Sequence, residues 1–279
     1  MWGAHVRATG SGAGCGNHWP LCNGEVTPHS PAVATLIEFT HRVMSGMDLG
    51  LVALLAVWAL RAFPRRHPAR LGAVLSAVFL VSEALIGAAL VLGEHVAKNA
   101  STSRAWSLSA HLVNTLTLLA CLTLTAWWGG GRPLVLVRGK AAWMTGASLA
   151  VVALLGVSGA IAALGDTLFP ASSLAGALAQ DFDATSNLFV RLRGLHPLIA
   201  AGAAGWLFFY AAAMRALRPS ARGWAWALVS VLGAQLALGV INLLLLAPVW
   251  MQILHLLLAD LLWISLVLLG AATLAAEPA

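Results

Sequence analysis

Three ionisable side chains, Glu38, His41 and Arg42, stand within one short stretch of an otherwise apolar run, ATLIEFTHRVMSGMDLGLVALLAVWAL. Such groups are expensive in a membrane-length segment, and where they occur they usually carry function. Glu38 and His41 are three residues apart, so on a helix they share a face and can address one buried ligand. A blander reading makes the group a helix end whose arginine snorkels to the interface. That reading suits Arg42 alone better than it suits Glu38 and His41 together. Asp48 lies seven residues beyond His41 on the same face. Its two readings, a proton relay or a carboxylate bonded to a neighbouring helix, balance.

The chain contains nine histidines. His5, His18, His29, His67 and His95 fall in polar segments. His41, His111, His196 and His255 fall in four apolar runs, each five to seven residues from the same end, or roughly 10 Å deep at the helical rise. One buried histidine is most often a hydrogen-bonded core residue. Four at one depth suggest two bis-histidine sites, and a planar haem between facing helices is the usual ligand of that arrangement in a bundle. No extra cysteine or carboxylate completes a shell for another metal at each site. Asn114, on the His111 face, reads as a support for the ligand or as interhelical glue. Glu83 and Asp260 are buried polar residues with no role that the sequence assigns.

The elements that must carry these residues follow from composition. The 279 residues are 60% hydrophobic and 9% charged, with mean hydropathy +0.86. Apolar runs long enough to span a bilayer recur, and none alternates as a barrel strand would. The expected fold is an all-α membrane protein with seven transmembrane helices, at about 34–61, 71–93, 105–128, 142–164, 190–214, 224–246 and 250–274. Met1 to Asn17 has no apolar core and is no cleavable signal peptide. Pro197, just after His196, frees a backbone carbonyl and predicts a bend there. Ten of the sixteen Lys and Arg residues lie in the loops after the first, third and fifth spans. The positive-inside rule puts those loops in the cytoplasm and the N-terminal loop outside. The net charge of +6 is therefore orientation information and not a nucleic-acid footprint.

The chain repeats itself. SEALIGA at 82–88 matches AQLALGV at 234–240, aligning Glu83 with Gln235 and Gly87 with Gly239. His41 matches His196, and His111 matches His255. Gly3-Ala4 aligns with Gly159-Ala160 near the end of the fourth span, so that span has a counterpart that should precede residue 1. The expected organisation is an outer loop (1–33), a first bundle (34–128) that reacts, a cytoplasmic loop (129–141) and a second bundle (142–279) that holds a haem. These are two pseudo-symmetric bundles of three plus four helices, nominally four plus four. A misassigned start, a truncated chain or a working seven-span protein would each explain the shortfall, and the repeat favours the first. The halves also differ in chemistry, because Glu38 precedes His41 by three residues where Arg193 precedes His196. Proton-coupled chemistry needs a group such as Glu38.

Cys121 lies in an apolar run and reads as packing. Cys15 and Cys22, in GCGNHWPLCNG, do not have the spacing of zinc ligands. Outside the membrane they read better as a disulfide than as free thiols.

Taken together, GSGAGCGNHWPLCNG, IEFTHR in the following helix and a histidine two helices on in SAHLVNT resemble the haem A synthases. The resemblance covers nearly the whole chain, less the absent first helix. It implies haem ligands at His41 and His111 in one bundle and at His196 and His255 in the other, a Cys15–Cys22 disulfide, and Glu38 as the catalytic carboxylate. The implied reaction oxidises a ring methyl of haem O to a formyl, giving haem A for cytochrome oxidase. It further implies a b-type haem (haem b) in the second bundle, with Arg42 against a haem propionate. Implied partners are haem O synthase and quinol or another electron donor, in the cell membrane with the C-terminus cytoplasmic. A homo-oligomer is left open. Two features depart from the family. The second outer segment, DTLFPASSLAG, lacks the cysteine pair of some members, and LHP stands where several members have His-Arg. The rival readings are a b-type cytochrome electron carrier, and a haem-binding assembly or transport protein with no chemistry on the haem.

Overall fold

A computed structural model describes residues 1–276 of the chain. Its helices are α1 (Trp2–Ala8), α2 (Val33–Ala62), α3 (Pro68–Leu92), α4 (Thr102–Gly129), α5 (Gly139–Leu168), α6 (Leu174–Phe182), α7 (Leu188–Arg193), α8 (His196–Leu217), α9 (Arg222–Leu244) and α10 (Val249–Thr273). Seven of the described stretches are long and apolar enough to cross a membrane, with α7 and α8 together forming the fifth. The protein is an all-α, multi-pass membrane protein.

Local chemistry sets the helix starts. Ser101 caps α4 by accepting from the Arg104 N–H, Ser173 caps α6 through Gly176 and Asn187 caps α7 through Phe189. Each supplies the side-chain acceptor that the first turn of a helix lacks. Pro68 opens α3, where its missing N–H costs nothing.

The fifth span is broken at Gly194–Leu195, and His196 and Pro197 open α8. Pro197 cannot donate to the carbonyl four residues before it, that of Arg193, so the helix restarts there. The break occurs where the sequence anticipates a bend. Three features extend beyond the sequence reading. The N-terminal stretch opens with helix α1, the fourth span runs on to Leu168, and the following outer segment folds into α6.

In the first half α2 packs on α3, and α3 on α4; in the second, α5, α8, α9 and α10 pack on one another. Helix α4 joins the halves through α5 and α10. The indole of Trp263 donates to the Leu116 carbonyl at 2.7 Å across that seam. The main core lies in the second half, around Leu207, Tyr210, Met214, Leu228, Leu262 and Leu266, with Tyr210 Oη and Thr145 Oγ1 bonded at 2.9 Å. At the opposite end from the histidines, the loop after α4 is stitched to the end of α10 by Leu136 N–H to Leu274 O and Ala276 N–H to Leu134 O, both 2.8 Å.

Candidate haem and carboxylate site

The N-terminal loop is closed by a Cys15–Cys22 disulfide, and both cysteines are buried. Gly14 brings this loop onto the start of α2. A Cβ there would lie 2.4 Å from the Ala34 carbonyl oxygen, so only glycine allows the approach. Thr35 Oγ1 fixes the contact by donating to the Gly14 carbonyl at 2.8 Å.

The loop ends on Glu38. The Cys15 N–H donates to its Oε2 at 2.9 Å, and Arg42 Nη2 donates to its Oε1 at 2.5 Å. Glu38 is only 3% exposed. An enclosed carboxyl group needs hydrogen-bond partners, and here a backbone amide and a guanidinium supply them. Arg42 also reaches out of the helix, donating through Nη1 to the carbonyls of His18 (2.7 Å), Pro20 (3.3 Å) and Leu21 (2.6 Å). Both its terminal nitrogens are therefore engaged by the loop and by Glu38, and a propionate would have to share them.

One turn inward from Glu38 stands His41. All four span histidines are half-buried; His41, His111 and His255 sit about two turns into α2, α4 and α10, and His196 opens α8, about two turns into the fifth span that α7 begins. His41 falls within electrostatic range of His111, and His196 within that of His255. Three of the rings lie against glycine. A Cβ at Gly3 would come within 3.2 Å of His41 Nε2, one at Gly159 within 3.1 Å of His196 Cε1, and one at Gly239 within 3.1 Å of His255 Cε1. Gly3 and Gly159, aligned by the repeat, thus meet equivalent histidines. Gly87, aligned with Gly239, meets open space.

The second ring nitrogens differ between sites. His196 Nδ1 bonds Ser158 Oγ at 2.9 Å, and His255 Nε2 lies 3.3 Å from Gln235 Nε2. His111 Nδ1 lies 2.9 Å from Oε1 of Glu83, a contact of ion-pair length without good hydrogen-bond alignment. Buried His255 Nδ1 has no protein partner. Paired imidazoles, flat glycine surfaces beside them and an unpartnered ring nitrogen fit a planar macrocycle held through iron. Among the described residues no three of His, Cys, Asp and Glu converge as they would on a bare metal ion.

The second half inverts the charge at its outer end. Arg193, 8% exposed, occupies the place of Glu38. It donates to Asp181 Oδ1 from Nε at 2.9 Å, with Nη2 at 2.7 Å from the same oxygen, and to Asp166 Oδ1 from Nη1 at 3.2 Å. Helix α6 thus folds over Arg193 as the disulfide loop folds over Glu38. Near this cluster Arg7 of α1 bonds the Ala163 carbonyl, Thr167 Oγ1 and Gln252 Oε1, tying the N-terminal helix to α5 and α10.

The family model for cytochrome oxidase assembly proteins of the COX15-CtaA type matches residues 1–267. The chain belongs to the COX15-CtaA family. Proteins named protoheme IX farnesyltransferase, from two Thermus thermophilus strains, are 51% identical over 278 residues. Those matches take in 98% of this chain but 46% of each relative, so the chain spans about half their length. The heme A synthase of Halalkalibacterium halodurans is 40% identical over 123 residues, 44% of this chain and 40% of that one. The heme A synthase of Bacillus cereus AH187 is 46% identical over 92 residues, 33% of this chain and 30% of that one. No solved structure matches.

Within this COX15-CtaA chain the structure gathers Glu38, His41, Arg42, Cys15 and Cys22 at one corner. Asp48 is exposed on α2, within electrostatic reach of His41. Asn114 is interhelical glue, donating to the Phe79 carbonyl at 2.8 Å and to Glu83 Oε2 at 2.5 Å. The sequence reading left Glu83 without a role, although its alignment with Gln235 beside a histidine-bearing helix was the available signal. It also missed Asp166 and Asp181 as the partners of Arg193.

Proposed function

We propose that this chain is a haem A synthase, oxidising a methyl group of haem O to a formyl to give haem A. The observation that carries the reading is Glu38: a buried carboxylate one turn from His41, held from two sides, with no counterpart in the second half. Bound haem would supply the iron redox chemistry. The chain's own residues do the rest. His41 and His111 would hold the reacting haem, and His196 and His255 would hold a haem b, whose iron would supply electron transfer from quinol or another donor. Glu38 takes up protons, or balances positive charge as it develops at the reacting carbon. Arg42 and the Cys15 amide hold its carboxylate in place, and the closed loop keeps bulk water from it.

The proposed orientation puts the disulfide loop outside and the C-terminus in the cytoplasm of a cell membrane, as the loop charges require. Haem O synthase is the proposed partner. A protein named for farnesyl transfer to protohaem contains a region 51% identical to this chain, which supports a link between the two chemistries.

The test is to express the chain with a haem O source and extract the pigments. Formyl-bearing haem should appear with the native sequence and fall about 10²–10⁴-fold in Glu38→Gln, with total haem retained. Haem B alone in every preparation would support an electron carrier instead.

A further inference from the structure

The two halves treat one histidine very differently. In the first, His111 faces Glu83 at 2.9 Å. Glu83 is itself gripped: Asn114 Nδ2 donates to Oε2 at 2.5 Å and the Thr115 hydroxyl donates to Oε1. Ser82 Oγ donates to Asn114 Oδ1 at 2.6 Å and closes the cluster. In the second half, the repeat places Ala234, Gln235, Leu258 and Ala259 at the positions of Ser82, Glu83, Asn114 and Thr115. Only one polar group survives there, a neutral amide. Even a half-buried carboxylate costs free energy that an apolar or amide side chain would not. The first half keeps the carboxylate against one imidazole, together with two further side chains that hold it.

We infer that Glu83 is a positioning residue for His111, fixing the ring through Nδ1 and making Nε2 a stronger electron donor than the free ring nitrogen of His255, whose other nitrogen faces only the Gln235 amide. The inference rests on the reading of His111 as an iron ligand. A carboxylate behind a ligating imidazole sets its tautomer and raises its basicity. A more basic ligand favours the ferric over the ferrous state, so the first-half haem has the lower reduction potential of the two. The second half, with its neutral Gln235, then holds the haem of higher potential.

The experiment is a redox titration of the purified, haem-loaded protein, followed by visible absorption. His111→Ala identifies the first-half haem by removing its low-spin signal. Glu83→Gln should then raise the potential of that haem alone, by about 59 mV for each tenfold loss of ferric-over-ferrous preference. Glu83→Asp should recover part of the shift. Gln235→Glu should move the second haem the opposite way, and it decides the matter if Glu83→Gln does not accumulate. A merely structural role for Glu83 would lower thermal stability and leave both potentials where they were; that result overturns the inference while leaving the haem sites standing. If His111→Ala leaves both haems bound and low-spin, the ligand reading fails as well.

Discussion

The backbone N–H of Cys15 donates to Oε2 of Glu38 at 2.9 Å, so the disulfide loop is bonded to the carboxylate it covers. The loop and the acid are one unit, and several consequences can be measured.

Reducing the disulfide, or replacing Cys15 and Cys22 by serine, should loosen this unit first. A native bridge of this kind contributes about 2–4 kcal/mol. Limited proteolysis of membranes with and without reductant should show new cleavage in residues 9–32 while the spans stay intact, and formyl-haem yield should fall in parallel.

Arg42→Ala should be among the most damaging substitutions in α2. It leaves a buried carboxylate with one donor and releases three loop carbonyls, a change worth about 3–5 kcal/mol where an ion pair is fully enclosed. Arg42→Lys should recover only part, because one ammonium cannot fork to Glu38 and the loop at once. Thermal unfolding of the detergent-solubilised protein reports both.

Gly159→Val should perturb the second haem and Gly3→Val the first, because each places atoms against one imidazole. The absorption and magnetic-resonance signals of the two haems should shift separately. Gly146→Val, where nothing lies within 4 Å, is the control.

Arg193→Gln strands Asp181 and Asp166 without their cation and should cost about 3–5 kcal/mol. Adding Asp181→Asn should restore part of the loss, since residues in one ion-pair network do not act additively. Paired stability measurements on the single and double variants give the coupling.

Much of the fold is legible in the sequence. A bilayer about 30 Å thick forces runs of roughly 20 apolar residues into helices, whatever their neighbours. The break before α8 follows from Pro197, whose missing N–H acts within its own helix. Cys15, Cys22, Glu38 and Arg42 lie within 28 residues of one another, so their grouping shows as a local cluster. Contacts that join separate helices do not show in this way. Glu83 meets His111 from another span, and Arg193 collects Asp166 and Asp181 from two other elements.

The sequence by itself determined the number of spans, the shared depth of four histidines and the repeat that pairs them, because length, hydropathy and spacing act along the chain. Only the tertiary structure decided which face of each helix meets which neighbour. Lipid tails are as apolar as a leucine-rich core, so hydrophobic patterning gives no strong preference for rotation about the helix axis. That choice falls to a few polar contacts and glycine gaps. They exist only once the helices are side by side, and here they put Glu83 behind His111 and the loop amide of Cys15 on Glu38.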